Sequence, residues 1–311
     1  MKFLHTILIS LLLAGCMSPT ESMTPTPSMA APTIAPTITS TVTPLPDNDP
    51  VLVGAGDIAH CSNDGDEITA SLLDDIPGTV FTTGDNAYRD GTAEEFANCY
   101  DPSWGRHKER TYPSPGNHDY HTADGAGYFD YFGSVAGEPG KGYYSYELGA
   151  WHIIVLNSNI SVEAGSPQDQ WLRADLAEHP TACTLAYWHH PRFSSGTVHG
   201  SDESMEPLWQ ALYDSGADVV LVGHEHNYER FAPQDPQGIA DPTRGIRQFV
   251  IGSGGRSHYD FGVPIANSEV RNADTYGLLK LTLHSTSYSW EFIPEPGKTF
   301  TDSGDAPCVT P

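Results

Sequence analysis

Basic side chains are scarce in this chain: 15 Lys and Arg stand against 40 Asp and Glu in 311 residues, a formal charge of −25. A surface of that sign repels polyanions at long range, which argues against nucleic acid as a partner and favours solubility. Cysteine is sparse too. None of the five cysteines forms a C-x-x-C pair, so a thiolate metal site is disfavoured. No H-E-x-x-H occurs, which removes a helical zinc-protease site. The apolar run over 3–13 is too short to span a bilayer as a helix. No internal repeat is visible. What remains is 38% hydrophobic and 10% aromatic residues, enough for one large folded domain or two small ones.

The N-terminus reads as an address. Met1-Lys2 precedes the apolar run, and Leu13-Ala14-Gly15-Cys16 resembles a bacterial lipoprotein signal. That resemblance implies a signal peptide over 1–15 and lipidation of the Cys16 thiol. The protein would then be extracytoplasmic and held on the cell membrane by acyl chains alone. Residues 16–48 are Pro, Thr, Ser, Met and Ala, with eight prolines between Pro19 and Pro50, and predict a semi-rigid tether. A folded domain follows over 49–303, with a tail over 304–311. Setting Cys16 aside leaves Cys61, Cys99, Cys183 and Cys308, an even set in an oxidising compartment with three possible pairings. Cys61 with Cys99 is favoured, since both sit just beyond polar strand ends. Cys183 with Cys308 would then pin the tail.

Within the domain, strands and helices alternate. Apolar, β-branched runs predict strands over 51–55, 79–82, 184–188 and 219–222. Helices are expected over 66–75, with Ile68, Leu72 and Leu73 on one face, from the Thr92-x-x-Glu95 capping box, from Ser166-Pro167, and over 207–214. Runs 143–148 and 151–156 form a hairpin signal. The β-rich segment after 248 suggests a second sheet packed on the first.

Polar residues gather where these strands end: Gly56-Asp57, Gly84-Asp85-Asn86, Gly116-Asn117-His118-Asp119, His189-His190 and Gly223-His224-Glu225-His226. An α/β domain with its polar groups at the carboxyl ends of strands places its site along that rim. Carboxylate, amide, phenol and imidazole ligands suit iron, zinc or manganese. Asp57 and Asp85 together cannot neutralise two such ions, which leaves a positive site for an anionic substrate. Two metals about 3.5–4 Å apart suit in-line displacement at phosphorus.

The five blocks, in this order, resemble the calcineurin-like metallophosphoesterases over residues 51–295. Where many members carry Asp-x-His this chain has Asp57-x-Ala59, and it offers Tyr88 in Gly-Asp-x-x-Tyr instead. With Tyr228-Glu229-Arg230 closing the last block, it is most similar to the purple acid phosphatases, whose tyrosine binds ferric iron. The resemblance implies a four-layer αββα sandwich of two packed mixed β-sheets flanked by helices. It implies one metal on Asp57, Tyr88 and His226, a second on Asn117, His189 and His224, and Asp85 bridging them. Fe3+ paired with Fe2+, Zn2+ or Mn2+ is the expected content. Metal-hydroxide attack on a small phosphate monoester follows, with His118 assisting the leaving group, Asp119 orienting that imidazole and His199 facing substrate. His190 reads as a supporting or surface residue and His60 as a loop histidine. Tyr120, His121 and the loop 120–142 are expected to wall the pocket. A phosphodiesterase of the same superfamily and a non-catalytic display module are the alternatives.

Overall fold

Thirteen strands of the computed structural model form two mixed sheets, with residues 49–309 described. The signal segment 1–15, Cys16 and the tether 16–48 lie outside the described residues. In spatial order the first sheet runs Ser303–Pro307, Ser287–Pro294, Gly277–Leu283, Val51–Ala55, Thr79–Thr83, Thr111–Ser114. The second runs Ser268–Asn272, Tyr228–Phe231, Arg247–Ile251, Val219–Val222, Cys183–Tyr187, Trp151–Val155, Tyr144–Leu148. The central strands are parallel and carry the site. Pro113 sits in Thr111–Ser114, at a sheet edge where its missing N–H costs no ladder bond.

The strand Val219–Val222 shows how the layers stack. Val219 and Leu221 enter a core shared by both sheets, with Leu52, Phe81, Leu185, Phe249 and Leu281. Val220 and Val222 face the other way, onto Leu172 and Leu176 of helix Pro167–Glu178 and Leu208 and Leu212 of helix Glu206–Asp214. A strand covered on both faces needs an unbroken apolar run, and these four residues are one. On the far side, Gly65–Asp74 and Trp104–Arg110 cover the first sheet. The result is the expected sandwich of two sheets between helices.

Local chemistry places the helix starts. Thr92 and Glu95 form a reciprocal capping box, and the Ser166 hydroxyl accepts from Asp169 N ahead of Pro167. Two expectations change. Helix Gly65–Asp74 buries Asp66, Thr69, Ala70 and Leu73, while Ile68 and Leu72 are only half-buried. Thr69 takes the inner position because its hydroxyl donates to Gly254 O and accepts from Trp104 Nε1. The C-terminal hairpin also starts no second sheet. It extends the first, with Leu281 opposite Leu52, and closes the free edge of Val51–Ala55.

The tail is not a tail. Ser303–Pro307 pairs with Ser287–Glu291 as the last strand of the first sheet. The disulfides join Cys61 to Cys99 and Cys183 to Cys308. Among the described residues no helix is long and apolar enough to cross a membrane.

Candidate metal centre

Each polar block sits where a strand stops. Asp57 follows Val51–Ala55, Asp85 follows Thr79–Thr83, Asn117 follows Thr111–Ser114, His189 follows Cys183–Tyr187 and His224 follows Val219–Val222. Three of these residues turn in the left-handed region: Asp57 at φ 59°, Asp85 at 51° and His224 at 71°. Non-glycine residues seldom adopt that conformation, and clusters of it mark functional sites. Glycine makes the close approach possible. A Cβ on Gly116 would lie 2.1 Å from Asp85 Oδ1, and one on Gly252 would lie 2.6 Å from Asp57 Oδ2.

The side chains meet in one buried cluster. Tyr88 Oη lies 2.7 Å from Asp85 Oδ2, 2.9 Å from Asp57 Oδ1 and 3.2 Å from His226 Nε2. His189 Nε2 lies 3.4 Å from Asp85 Oδ2, 3.0 Å from Asn117 Oδ1 and 3.1 Å from His224 Nδ1. Asp85 therefore stands between two groups of donors. The remaining imidazole nitrogens are anchored, His189 Nδ1 on Thr83 O at 2.7 Å and His226 Nδ1 on Ser257 Oγ at 2.7 Å. Such anchoring fixes the orientation of these two rings and leaves their Nε2 facing the centre, free to bind a metal. His224 N donates to Asp57 Oδ2 at 2.8 Å.

The electrostatics fit cations. Asp57 and Asp85 are 0% and 1% exposed, and among the described residues no Lys or Arg nitrogen lies within 4 Å of their carboxylates; imidazoles are the only basic side chains that do. Burial opposes the charge of His189, but Asp85 and Asp57 carry it up to about 9. Burial and the neighbouring His189 drive His224 far below its ordinary value. Burial, then Asp57 and Asp85, push the Tyr88 phenol well above its usual range. The donor set of oxygen and imidazole suits iron, zinc or manganese. With Asp85 between the two groups of donors, these residues fit two cations sharing one carboxylate.

The flanking residues divide. His118 lies against the centre: Nδ1 meets Arg89 O at 2.6 Å, and Nε2 stands 3.9 Å from Asp85 Oδ2. Asp119 does not orient it. Fully buried, the Asp119 carboxylate accepts from Asn86 N, Asn86 Nδ2, Ala87 N and Gly116 N, and so braces the loops bearing Asp85 and Asn117. Neighbours in a tight turn point apart, and adjacency in sequence misleads here. Burial, with Asp85 nearby, raises this carboxyl to about 7. His199 stacks on His224 with ring centroids 3.8 Å apart, which puts it beside the centre.

Of the two readings of His190, the supporting one fits. Its ring lies 4.5 Å from that of His224, and Nδ1 pairs with Ser158 Oγ at 2.7 Å. Burial, then His189, lowers its pKa to about 4. His60 is a loop-edge histidine bonded to Ser62. Tyr120 Oη accepts from Asn157 Nδ2, and His121 pairs with Asp90 near the surface. The 120–142 stretch supplies less wall than expected, because it contains the helix Ala126–Phe132 and sends Tyr128, Phe129 and Phe132 into the core. Ser257, Tyr259 (stacked on His226 at 3.9 Å) and Arg256 (5.2 Å above the Tyr88 ring) carried no signal in sequence. The Gly252–Gly255 turn that delivers them was the one clue.

Comparison with known proteins agrees with the geometry. The calcineurin-like phosphoesterase family model matches residues 44–228. Purple acid phosphatase 15 of Arabidopsis thaliana is 30% identical over 239 residues, covering 64% of this chain and 44% of that protein. The chain spans about half or less of the length of the curated relatives it matches. Among solved structures, a purple acid phosphatase from yellow lupin seeds superposes with a TM-score of 0.67 at 19% identity, over 82% of this chain and 53% of that one. GAP50, described as the anchor in the inner membrane complex of Plasmodium, superposes at 0.65 and 15% identity, over 84% of this chain and 89% of that one. Likeness at such identities speaks for the fold alone. The family model spans more than half of the chain and takes in all five blocks, which the fold brings to one centre; the chain belongs to the calcineurin-like phosphoesterase family.

Proposed function

We propose that this chain hydrolyses phosphate monoesters at a dinuclear metal centre of the purple acid phosphatase type. The observation that carries this reading is the convergence of Tyr88 Oη on Asp85, Asp57 and His226. Asp57, Tyr88 and His226 would hold ferric iron, and Asn117, His189 and His224 a second ion, Fe2+, Zn2+ or Mn2+, with Asp85 shared. Bound there, the ions would polarise the phosphoryl oxygens and supply a nucleophile at neutral pH. His118 is held by Arg89 O with Nε2 free toward the centre, in position to protonate a leaving alkoxide. His199 is placed over His224 to donate to a phosphoryl oxygen. The glycines lining Asp57 and Asp85 keep the centre narrow.

Two disulfides support an oxidising, extracytoplasmic location. Anchoring through a lipid on Cys16 belongs to the same proposal. The substrate is a small phosphorylated molecule, since the acidic surface disfavours a polyanion.

The test is turnover of a nitrophenyl phosphate monoester beside the matching diester, after reconstitution with iron and zinc or with manganese. Monoester turnover that vanishes in Asp85→Asn is the expected result. Preference for the diester would make the chain a phosphodiesterase. Metal binding without turnover of either ester would favour a non-catalytic role; GAP50, described as an anchor, shares the fold.

A further inference from the structure

We propose that Glu225 is a positioning residue whose buried carboxylate fastens the 195–200 loop and so holds His199 over the metal centre. Glu225 stands between His224 and His226 and is 0% exposed. Its Oε1 accepts the backbone N–H of His199 at 2.6 Å and of Gly200 at 2.7 Å. Among the described residues those two N–H groups have no other partner, and Oε2 has none at all. The loop lies flat on the carboxyl group: a Cβ on Gly196 would sit 2.2 Å from Glu225 Cδ.

The rest of the loop is tied down independently. Ser195 N donates to Glu229 Oε2 at 2.8 Å, Thr197 N to Asp260 O at 3.2 Å, and Gly262 N to Ser195 O at 2.8 Å. Only the tip bearing His199 depends on Glu225. That tip puts the imidazole on the His224 ring at 3.8 Å, with 27° between the planes. A carboxylate is costly to bury, and an apolar side chain would fill the same space without that cost. The two N–H bonds are what offset it. One strand end therefore carries a ligand position and, one residue on, the clamp for a substrate-facing histidine. Glu225 touches neither substrate nor reacting atoms. It acts through His199.

The kinetic part of this inference rests on the phosphatase reading; the exchange part does not. Glu225→Leu, Glu225→Asp, Glu225→Gln, His199→Ala and the Leu/Ala double variant would be compared in the full chain. The readouts are amide hydrogen exchange over 195–200 in protein without added metal, metal content after reconstitution, and kcat and KM for a monoester. In Glu225→Leu, exchange at His199 and Gly200 should rise at least about tenfold, because both bonds to the carboxylate are gone. Two metals should still bind, and kcat should fall about 10- to 100-fold, up to the lower end of a full acid–base contribution because the imidazole is displaced and not removed. The double variant should be no slower than His199→Ala alone. Gln keeps a carbonyl oxygen at Oε1 and places its amide where Oε2 has no partner, so it should retain protection and turnover. Asp, one methylene shorter, should reproduce Leu, and it serves if Leu does not fold. Unchanged exchange in Leu and Asp, or losses that multiply in the double variant, would overturn the proposal. A wild-type protein without turnover would sink the phosphatase reading and leave the exchange result to decide the clamp.

Discussion

Tyr88 is the side chain on which the metal assignment turns. Burial, Asp57 and Asp85 all work against its phenolate, so only a strongly charged cation at the Asp57–His226 position would draw the proton off. An iron-loaded protein should therefore absorb in the visible. Tyr88→Phe should lose that band while keeping the fold, and a colourless iron-replete wild type would remove ferric tyrosinate from the account. Asp119 makes a second prediction. Its carboxylate gathers at least four N–H groups from the loops of Asp85 and Asn117, each bond to a charged group worth about 1.5–3 kcal/mol. Asp119→Ala should cost about 3 kcal/mol or more in denaturant unfolding and weaken metal retention. Loss of activity with unchanged stability would instead restore a direct role beside His118. The candidate ligand residues were legible as one cluster because each lies in a short block at a strand end, where local pattern and chemistry coincide. Asp119 was misread because direction of a side chain within a turn is set by tertiary packing. Tyr259 and Ser257 arrive from a remote turn, and no local pattern marks them.

Among elements, the strands and capped helices followed their periodicity, and what escaped was pairing. Nothing in Leu279 to Leu283 says which sheet it joins; the open edge of Val51–Ala55 decides that. Gly-Asp-Ala within Ser303–Pro307 has little strand character, yet pairing with Ser287–Glu291 makes it one. Cys308 lies just beyond that strand, and its bond to Cys183 ties it across to the second sheet. Reducing this bond, or replacing both cysteines by Ser, should destabilise the domain by about 2–4 kcal/mol and leave the metal-centre spectrum unchanged. A lost spectrum would place the bond's influence at the site. A second element-level device sits at the opposite end of the strands from the metal centre. His152 of Trp151–Val155 is buried between Glu147 Oε1 at 2.7 Å and Asp175 Oδ2 at 2.8 Å, with His179 stacked on it. Burial opposes its charge, yet Asp175 and Glu147 raise its pKa above 6.5. Burial likewise opposes Asp175, which His152 holds below 3.8. The raised imidazole stabilises fully below 6.5 and loses that as pH rises through its folded value. The lowered carboxyl stabilises above 3.8 and loses that as pH falls through its own. Both contributions coincide between those two values. His152→Gln should therefore cost most near pH 5, about 3 kcal/mol by thermal unfolding, and distinctly less at pH 8. A difference that stays constant from pH 5 to 8 would refute the ion pair.

At the scale of the whole molecule, net charge and fold answer different questions. A charge of −25 speaks to partners, and the cluster of Asp57, Asp85, Tyr88 and four histidines stands apart from it as a site built for cations. The sandwich by itself does not assign an activity, since a purple acid phosphatase and a protein described as an anchor superpose on it about equally well. What bears on activity is the cluster itself, in which Asp57, Asp85, Tyr88, His189, His224 and His226 meet. The most direct measurement is the number of metal ions per chain after reconstitution with iron and zinc, for wild type and for Asp85→Asn. Two ions in the wild type, falling to one or none when the shared carboxylate is lost, is the predicted result. A single ion in the wild type, or two ions held equally well by Asp85→Asn, would contradict a dinuclear centre bridged by Asp85.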